Sequence, residues 1–218
     1  EIAIDTLEKC KLGQPILWWL GLDNYFVYLK RHGLNVERDG LDAYHLKERN
    51  VIHFVQCYYV KDFVQNKLEI PSNKIHYLSD YLNTEFQHGN ADYKEDIILY
   101  NPKKGMDYTK LLMEAAPDFK WVAIENMTPA QVSKIMHLAK VYIDFGTHSG
   151  KDRIPREASA SGCCIITNRH GSAAFTEDVP IPDTYKFENE YQQISEVIAM
   201  IQDIFLHYDT HIKSFGKY

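Results

Sequence analysis

The chain has 218 residues, enough for one large domain or two small ones, and its 45% hydrophobic and 25% charged residues are those of an ordinary globular protein. Its net charge of −6 is shared evenly by the two halves, with no basic tail, which sets nucleic acid aside as a partner. No apolar run of transmembrane length and no signal-peptide pattern stand out, so a cytoplasmic location is expected; the sequence opens at Glu1 without a methionine, as a trimmed or partial chain would.

Strand and helix signals alternate along the chain. Pro15–Leu20 is a continuous apolar run of strand length, and the spacing of Phe26 and Leu29 predicts a helix over 23–32 that stops at Gly33. Residues 34–50 give no clear signal. Val51–Val55 reads as a strand, 61–68 as a helix ending before Pro71, and 74–78 as another strand. Residues 82–96 lose the apolar rhythm and contain Gly89-Asn90, which predicts a linker. Beyond it come strand 97–100, helix 108–116 stopped by Pro117, and strand 120–124. Thr128-Pro-Ala-Gln131 is a capping box with proline at the first helical position, opening a helix to about Ala139. Strand 141–145, a helix over 155–162, strand 164–167 and a long amphipathic helix from Glu190 to about Tyr208 complete the chain. Strands separated by helices imply parallel pairing with crossovers. The expected fold is α/β, two Rossmann-like units with parallel sheets, the first of them short. The four cysteines, Cys10, Cys57, Cys163 and Cys164, lack zinc-ligand spacing and read as small core residues of a reducing compartment.

The chemistry concentrates at strand ends. Asn101-Pro-Lys-Lys-Gly105 follows a strand directly, so Lys103, Lys104 and Gly105 stand where a diphosphate is neutralised, or else form a solvated turn. The loop 146–157 is glycine-rich and feeds a helix N-terminus, which is where open α/β sheets take phosphorylated ligands. It carries His148, Lys151, Arg153, Arg156 and Glu157. The lysine and arginines supply charge, and Glu157, one turn into the helix, can accept from ribose hydroxyls. The competing reading is a surface ion-pair network of Arg153, Arg156 and Glu157. His148 is the acid/base or hydrogen-bonding candidate by position. A third loop, 167–173, offers backbone amides at Gly171 and Ser172. Trp18-Trp19 is an ordinary core pair or, with Gly21 and Asp23 beside it, an acceptor-side sugar face; Asp23 is alternatively a helix cap. The dinucleotide fingerprint, the P-loop, the nucleophile elbow and an Asp-x-Asp metal site are all absent.

The order of these pieces resembles the nucleotide-sugar-binding C-terminal domain of GT-B glycosyltransferases, the bacterial surface-polysaccharide type in particular. Asn-Pro-Lys-Lys-Gly at 101–105 is similar to that family's diphosphate-contacting motif, and Gly150-Lys-Asp-Arg-Ile-Pro-Arg-Glu-Ala158 to its donor helix. The resemblance implies that Glu157 binds the ribose, that Glu125 and Asn126 lie by the base, and that Lys104, Lys151 and Arg153 stabilise the departing diphosphate. It implies His148 at the donor sugar or the reacting hydroxyl. It also implies a metal-independent transferase with no cofactor, using a nucleotide sugar and a glycan or lipid-linked acceptor, with room for peripheral membrane contact and for a homo-oligomer. The implied organisation is a reduced or partial acceptor-side domain over 1–90, a donor domain over 91–190, and a helix over 191–218 that packs back towards the first domain. Ser149 stands eight positions before Glu157, where retaining members carry a first glutamate, so the stereochemical outcome stays open. A non-catalytic nucleotide-sugar-binding subunit and a GT-B-type sugar epimerase are the alternatives.

Overall fold

A computed structural model describes residues 4–86, 93–189 and 191–218, and within them two compact units. The first unit comprises Glu1–Asp80 together with His148–Lys151; the second comprises Tyr81–Thr147 and Asp152–Tyr218.

In the first unit a 3-10 turn, Ile4–Lys9, precedes β1 (Ile16–Trp19), α1 (Leu22–Arg31), the single turn α2 (Val36–Asp39), β2 (Ile52–Val55), α3 (Tyr58–Asp62) and β3 (Ile75–Tyr77). The three strands are parallel in the order β1-β2-β3. The helix expected over 61–68 is instead α3 followed by a π-helical turn, Phe63–Lys67. The region that gave no signal supplies α2, whose Asn35 side chain accepts from the Glu37 N–H. Burial alternates along β1 and β2: Leu17, Trp19, His53 and Val55 enter the core, while Ile16 and Trp18 are exposed. A parallel strand buried on one face reads as an apolar run here only because its open face also carries large apolar residues.

The second unit holds β4 (Glu95–Tyr100), α4 (Met106–Ala115), β5 (Lys120–Ala123), α5 (Pro129–Leu138), β6 (Ala139–Asp144), α6 (Arg153–Ala160), β7 (Cys164–Asn168), β8 (Lys186–Phe187), α7 (Ile194–Leu206) and the short α8 (Tyr208–His211). All five strands are parallel, in the order β5-β4-β6-β7-β8. Here the apolar runs are buried on both faces, as Ile97-Ile98-Leu99, Val141-Tyr142-Ile143 and Cys164-Ile165-Ile166 show. The capping box at Thr128 forms as the sequence predicts, with Gln131 answering the N-cap amide. Helix α7 packs on α4 and β6. Its expected first residue, Glu190, lies outside the described residues.

The expected linker over 82–96 is ordered at both ends. Phe86 is buried in the second core, and Ser133 and Ser161 donate to the carbonyls of Glu85 and Phe86 at 2.8 and 3.3 Å. Glu95 and Asp96 already belong to β4, and residues 87–92, with Gly89-Asn90, lie outside the described residues. Lys94 closes the base of this unit: its buried ammonium donates to the carbonyls of Met136, Ala139 and Ser161 at 3.1, 3.0 and 2.8 Å. A cation there satisfies the orphan carbonyls where α5 and α6 end. Cys57, Cys163 and Cys164 are buried free thiols, and burial pushes the Cys163 thiol up to about 11; Cys10, by contrast, is exposed and is not a core residue.

Candidate active site

Strand β4 starts the second sheet, with β5 on one side and β6 on the other. The chain therefore leaves β4 and β6 in opposite directions, and the crevice at their carboxyl ends is where open sheets bind ligands. Four segments of the second unit leave that edge: 101–105 after β4, 124–127 after β5, 145–147 after β6 and 169–172 after β7.

The first and third of these abut. Gly105, the N-cap of α4, is left-handed at φ 59°, ψ 25°. A Cβ placed on it would stand 2.4 Å from the Phe145 carbonyl carbon and oxygen, so only glycine lets the lysine turn close on the β6 loop. Lys103 and Lys104 immediately precede Gly105 in that turn. The Asn101 side chain accepts from the Lys103 N–H at 3.0 Å and shapes the turn. The Lys104 ammonium meets the Asp152 carboxylate at 2.6 Å. Beside it, Asn101, Lys103, Glu125, Asn126 and Ile154 line a cleft of about 240 Å³. Asn126 is left-handed at φ 54°, a conformation asparagine tolerates better than most residues.

The start of the β6 loop is pinned by residues that the sequence did not single out. The Gly146 N–H donates to Asp144 Oδ1 at 3.0 Å, and the Gly146 carbonyl accepts from Asn168 Nδ2 at 2.7 Å. The Phe145 carbonyl accepts from Asn189 Nδ2 at 3.0 Å. Asp144 also accepts from the Tyr142 hydroxyl at 3.1 Å, and its own carbonyl takes the Thr167 hydroxyl at 2.9 Å. Burial, reinforced by Asp144, holds the Tyr142 phenol well above its ordinary range, so it remains a donor. Two asparagines at strand ends were the available signal; their partners lie 22 and 44 residues away in sequence.

Helix α6 begins at Arg153, so Pro155 falls within its first turn, as expected. Arg153 is largely exposed and stands 3.9 Å from Glu157, while Arg156 and Glu157 are buried. The ion-pair reading therefore describes the Arg153–Glu157 pair, of which only Arg153 is at the surface. Gly171, left-handed at φ 53°, opens the turn after β7, and Ser172 is fully buried.

The second unit thus gathers Lys103, Lys104, Gly105, Glu125, Asn126, Arg153, Arg156, Glu157, Gly171 and Ser172 at the carboxyl edge of one sheet. His148 and Lys151 fall in the first unit. His148 is 2% exposed and left-handed at φ 47°. The Lys151 ammonium donates to the Tyr77 hydroxyl at 2.9 Å. Trp19 is corrected: it is 4% exposed, its indole N–H donates to His53 Nδ1 at 3.0 Å, and it packs on Tyr25 and Phe63. It is a core residue and presents no face to a sugar. Asp23 sits at the second position of α1, with Gly21 as the N-cap, so it favours the helix dipole without capping it.

No protein-family model and no curated protein sequence matches the chain. Solved structures do. Sucrose-phosphate synthase from Thermosynechococcus elongatus superposes with a TM-score of 0.69 at 15% identity, over 97% of this chain and 63% of that one. The pneumococcal O-GlcNAc transferase GtfA, solved with UDP and GlcNAc, gives 0.62 at 12% identity, over 98% and 49%. WaaG, a glycosyltransferase of lipopolysaccharide biosynthesis, gives 0.59 at 10% identity, over 98% and 75%. The chain spans half to three quarters of the length of these neighbours, and its fold is the GT-B fold of these glycosyltransferases. Among the described residues no helix is long and apolar enough to cross a membrane.

Proposed function

We propose that the chain binds a nucleotide-diphosphate sugar in its second unit and acts in transferring the sugar to a glycan or lipid-linked acceptor of polysaccharide assembly. The observation that carries this reading is the meeting of the lysine turn with the β6 loop at Gly105, on the switch-point edge of the sheet. That contact seats the turn that carries Lys103 and Lys104, and Lys103 lines the adjacent cleft of about 240 Å³ with Asn101, Glu125 and Asn126. Charge that develops on a departing diphosphate is stabilised by donors already in place, which is electrostatic catalysis without reorganisation. Lys104 and Arg153 supply the charge, Glu157 takes the ribose hydroxyls, and Glu125 and Asn126 face the base.

The reaction runs without a resident metal in this reading. The support is that Asp144 is engaged by Tyr142 and the Gly146 amide, and Asp152 by Lys104, so protein donors already answer both carboxylates. Retained turnover in chelator is the expected result.

Calorimetric titration with nucleoside diphosphates tests the donor site. One diphosphate series binds at micromolar affinity; Lys104→Ala weakens it about tenfold, as loss of a charge-assisted contact does. Glu157→Gln weakens the nucleoside diphosphate more than pyrophosphate. Binding unchanged in Lys104→Ala removes the lysine turn from the site. Binding without transfer to any acceptor favours a non-catalytic sugar-nucleotide-binding subunit.

A further inference from the structure

Two exposed tyrosines stand at the carboxyl edge of the first sheet, each with an ammonium over its ring. Tyr58 opens α3 directly after β2, and Tyr77 ends β3. Their ring centroids are 5.6 Å apart at 45°, and they are 38% and 45% exposed. Lys61, one turn along α3, places its Nζ 5.2 Å from the Tyr58 centroid; Lys151 places its Nζ 5.5 Å from that of Tyr77 and donates to its hydroxyl at 2.9 Å. Among the described residues neither ammonium meets a carboxylate within ion-pair distance.

Lys151 is held there by its backbone. The Ser149 carbonyl accepts from the Leu22 N–H at 2.7 Å, and a Cβ on Gly150 would stand 2.2 Å from the Leu20 carbonyl oxygen. The second lysine is therefore fixed on the first unit, where little ordering remains to be lost on binding.

We infer that this cluster is a binding site for an anionic glycan. The C–H faces of a sugar ring carry partial positive charge and settle on the electron-rich faces of aromatic rings; two tilted rings 5.6 Å apart present such faces to successive or adjacent residues of a glycan. The two ammonium groups, held at the rings by cation–π attraction, keep N–H donors for carboxylate or phosphate oxygens. In a chain of net charge −6, two cations unanswered by carboxylates select a negative ligand locally. The site's position at the ends of parallel strands is the usual one for ligands of open sheets. Its role as the acceptor subsite rests on the transferase reading above; the binding itself does not.

The test is titration of the full chain, its tyrosines labelled for NMR, with three probes: tetragalacturonate, its carboxyl-reduced neutral counterpart, and a phosphodiester-linked hexose oligomer. The expected result is that an anionic probe binds at least about fivefold more tightly than the neutral one, with shifts at Tyr58 and Tyr77, and that added salt erodes the difference. Carboxylate and phosphodiester arms identify which anion the glycan carries. Lys61→Gln removes about fivefold of the anionic affinity and leaves neutral binding unchanged; Tyr58→Leu weakens every probe while the β2 amides keep their exchange protection. No shifts at the two tyrosines with any probe, or equal affinity for anionic and neutral probes, overturns the inference. The same samples titrated with a nucleoside diphosphate separate the two readings: nucleotide binding without glycan binding sinks this site alone, and glycan binding without nucleotide binding sinks the donor site alone.

Discussion

Replacing Gly105 by alanine asks the most of the second unit. Two penalties combine. The residue sits at φ 59°, where an L side chain costs about 1–2 kcal/mol. Its Cβ would also stand 2.4 Å from the Phe145 carbonyl and 2.9 Å from the Gly146 nitrogen. These are backbone atoms pinned by Asp144, Asn168 and Asn189, so no side chain can rotate away. Overpacking against fixed atoms costs about 1–3 kcal/mol, giving about 2–5 kcal/mol in all. Gly33→Ala isolates the first penalty, because Gly33 has φ 70° and nothing within 4 Å of its Cβ position. Both variants gain the same small unfolded-chain entropy term, which cancels in the comparison. Native-state hydrogen exchange reads each unit through its own strands, β4 and β6 for Gly105→Ala and β1 and β2 for Gly33→Ala. Gly105→Ala is expected to lose at least about 1 kcal/mol more opening free energy than Gly33→Ala. It is also expected to lose diphosphate binding as the lysine turn moves. Equal losses in the two variants would refute the claim that the lysine turn is seated on the β6 loop.

Asp152→Asn frees Lys104 from a carboxylate at 2.6 Å and is expected to raise affinity for pyrophosphate about threefold or more by calorimetry. A fall would mean that Asp152 helps to hold the ligand and does not compete with it. In the first unit, burial, with the Lys74 charge adding to it, holds the His53 imidazole down to about 4. An unfolded histidine titrates near 6.5, so between those values the unfolded chain takes a proton that the folded unit refuses. Stability is present above about pH 6.5 and is lost as pH falls towards 4, by up to about 3 kcal/mol. Opening free energies of β1 and β2 amides at pH 7 and pH 5 check this; His53→Gln should flatten the slope, and an unchanged slope sinks the assignment.

What the sequence made legible depended on burial. Strands β4, β6 and β7 read clearly because both faces are covered, so successive central residues, Ile97-Ile98-Leu99, Val141-Tyr142-Ile143 and Cys164-Ile165-Ile166, are apolar. The same kind of run in β1 overstated the burial of that strand. Trp18 is exposed while Trp19 is core, and an apolar doublet carries no mark of which member faces inward. The loops at strand ends were legible because a turn after an apolar strand is local, and the lysines, glycines and glutamate within them could be named. Their bracing was not. Asn189 reaches Phe145 from 44 residues away, and such pairing leaves no trace in spacing.

The loop after β6 shows why charge in a motif does not fix where that charge acts. Lys151 and Arg153 are two residues apart and read as one basic cluster. Yet Gly150 fits only as glycine against the Leu20 carbonyl, and Lys151 follows it onto Tyr77. Arg153, two residues on, begins α6 and stands by Glu157. A glycine that the sequence presents as freedom for a phosphate to approach is here spent on backbone contact with β1–α1. The two cations of this loop therefore belong to different units, Lys151 to the first and Arg153 to the second. On the function proposed above, Lys104 and Arg153 answer the charge of a diphosphate. On the inference drawn above, Lys61 and Lys151, each with its ammonium over a tyrosine ring, add charge to the aromatic surface that a glycan meets. If that division holds, Lys151→Ala should weaken anionic glycan binding and spare nucleoside diphosphate binding, and Arg153→Ala should do the reverse. Loss of both ligands in either single variant would return the two cations to one site.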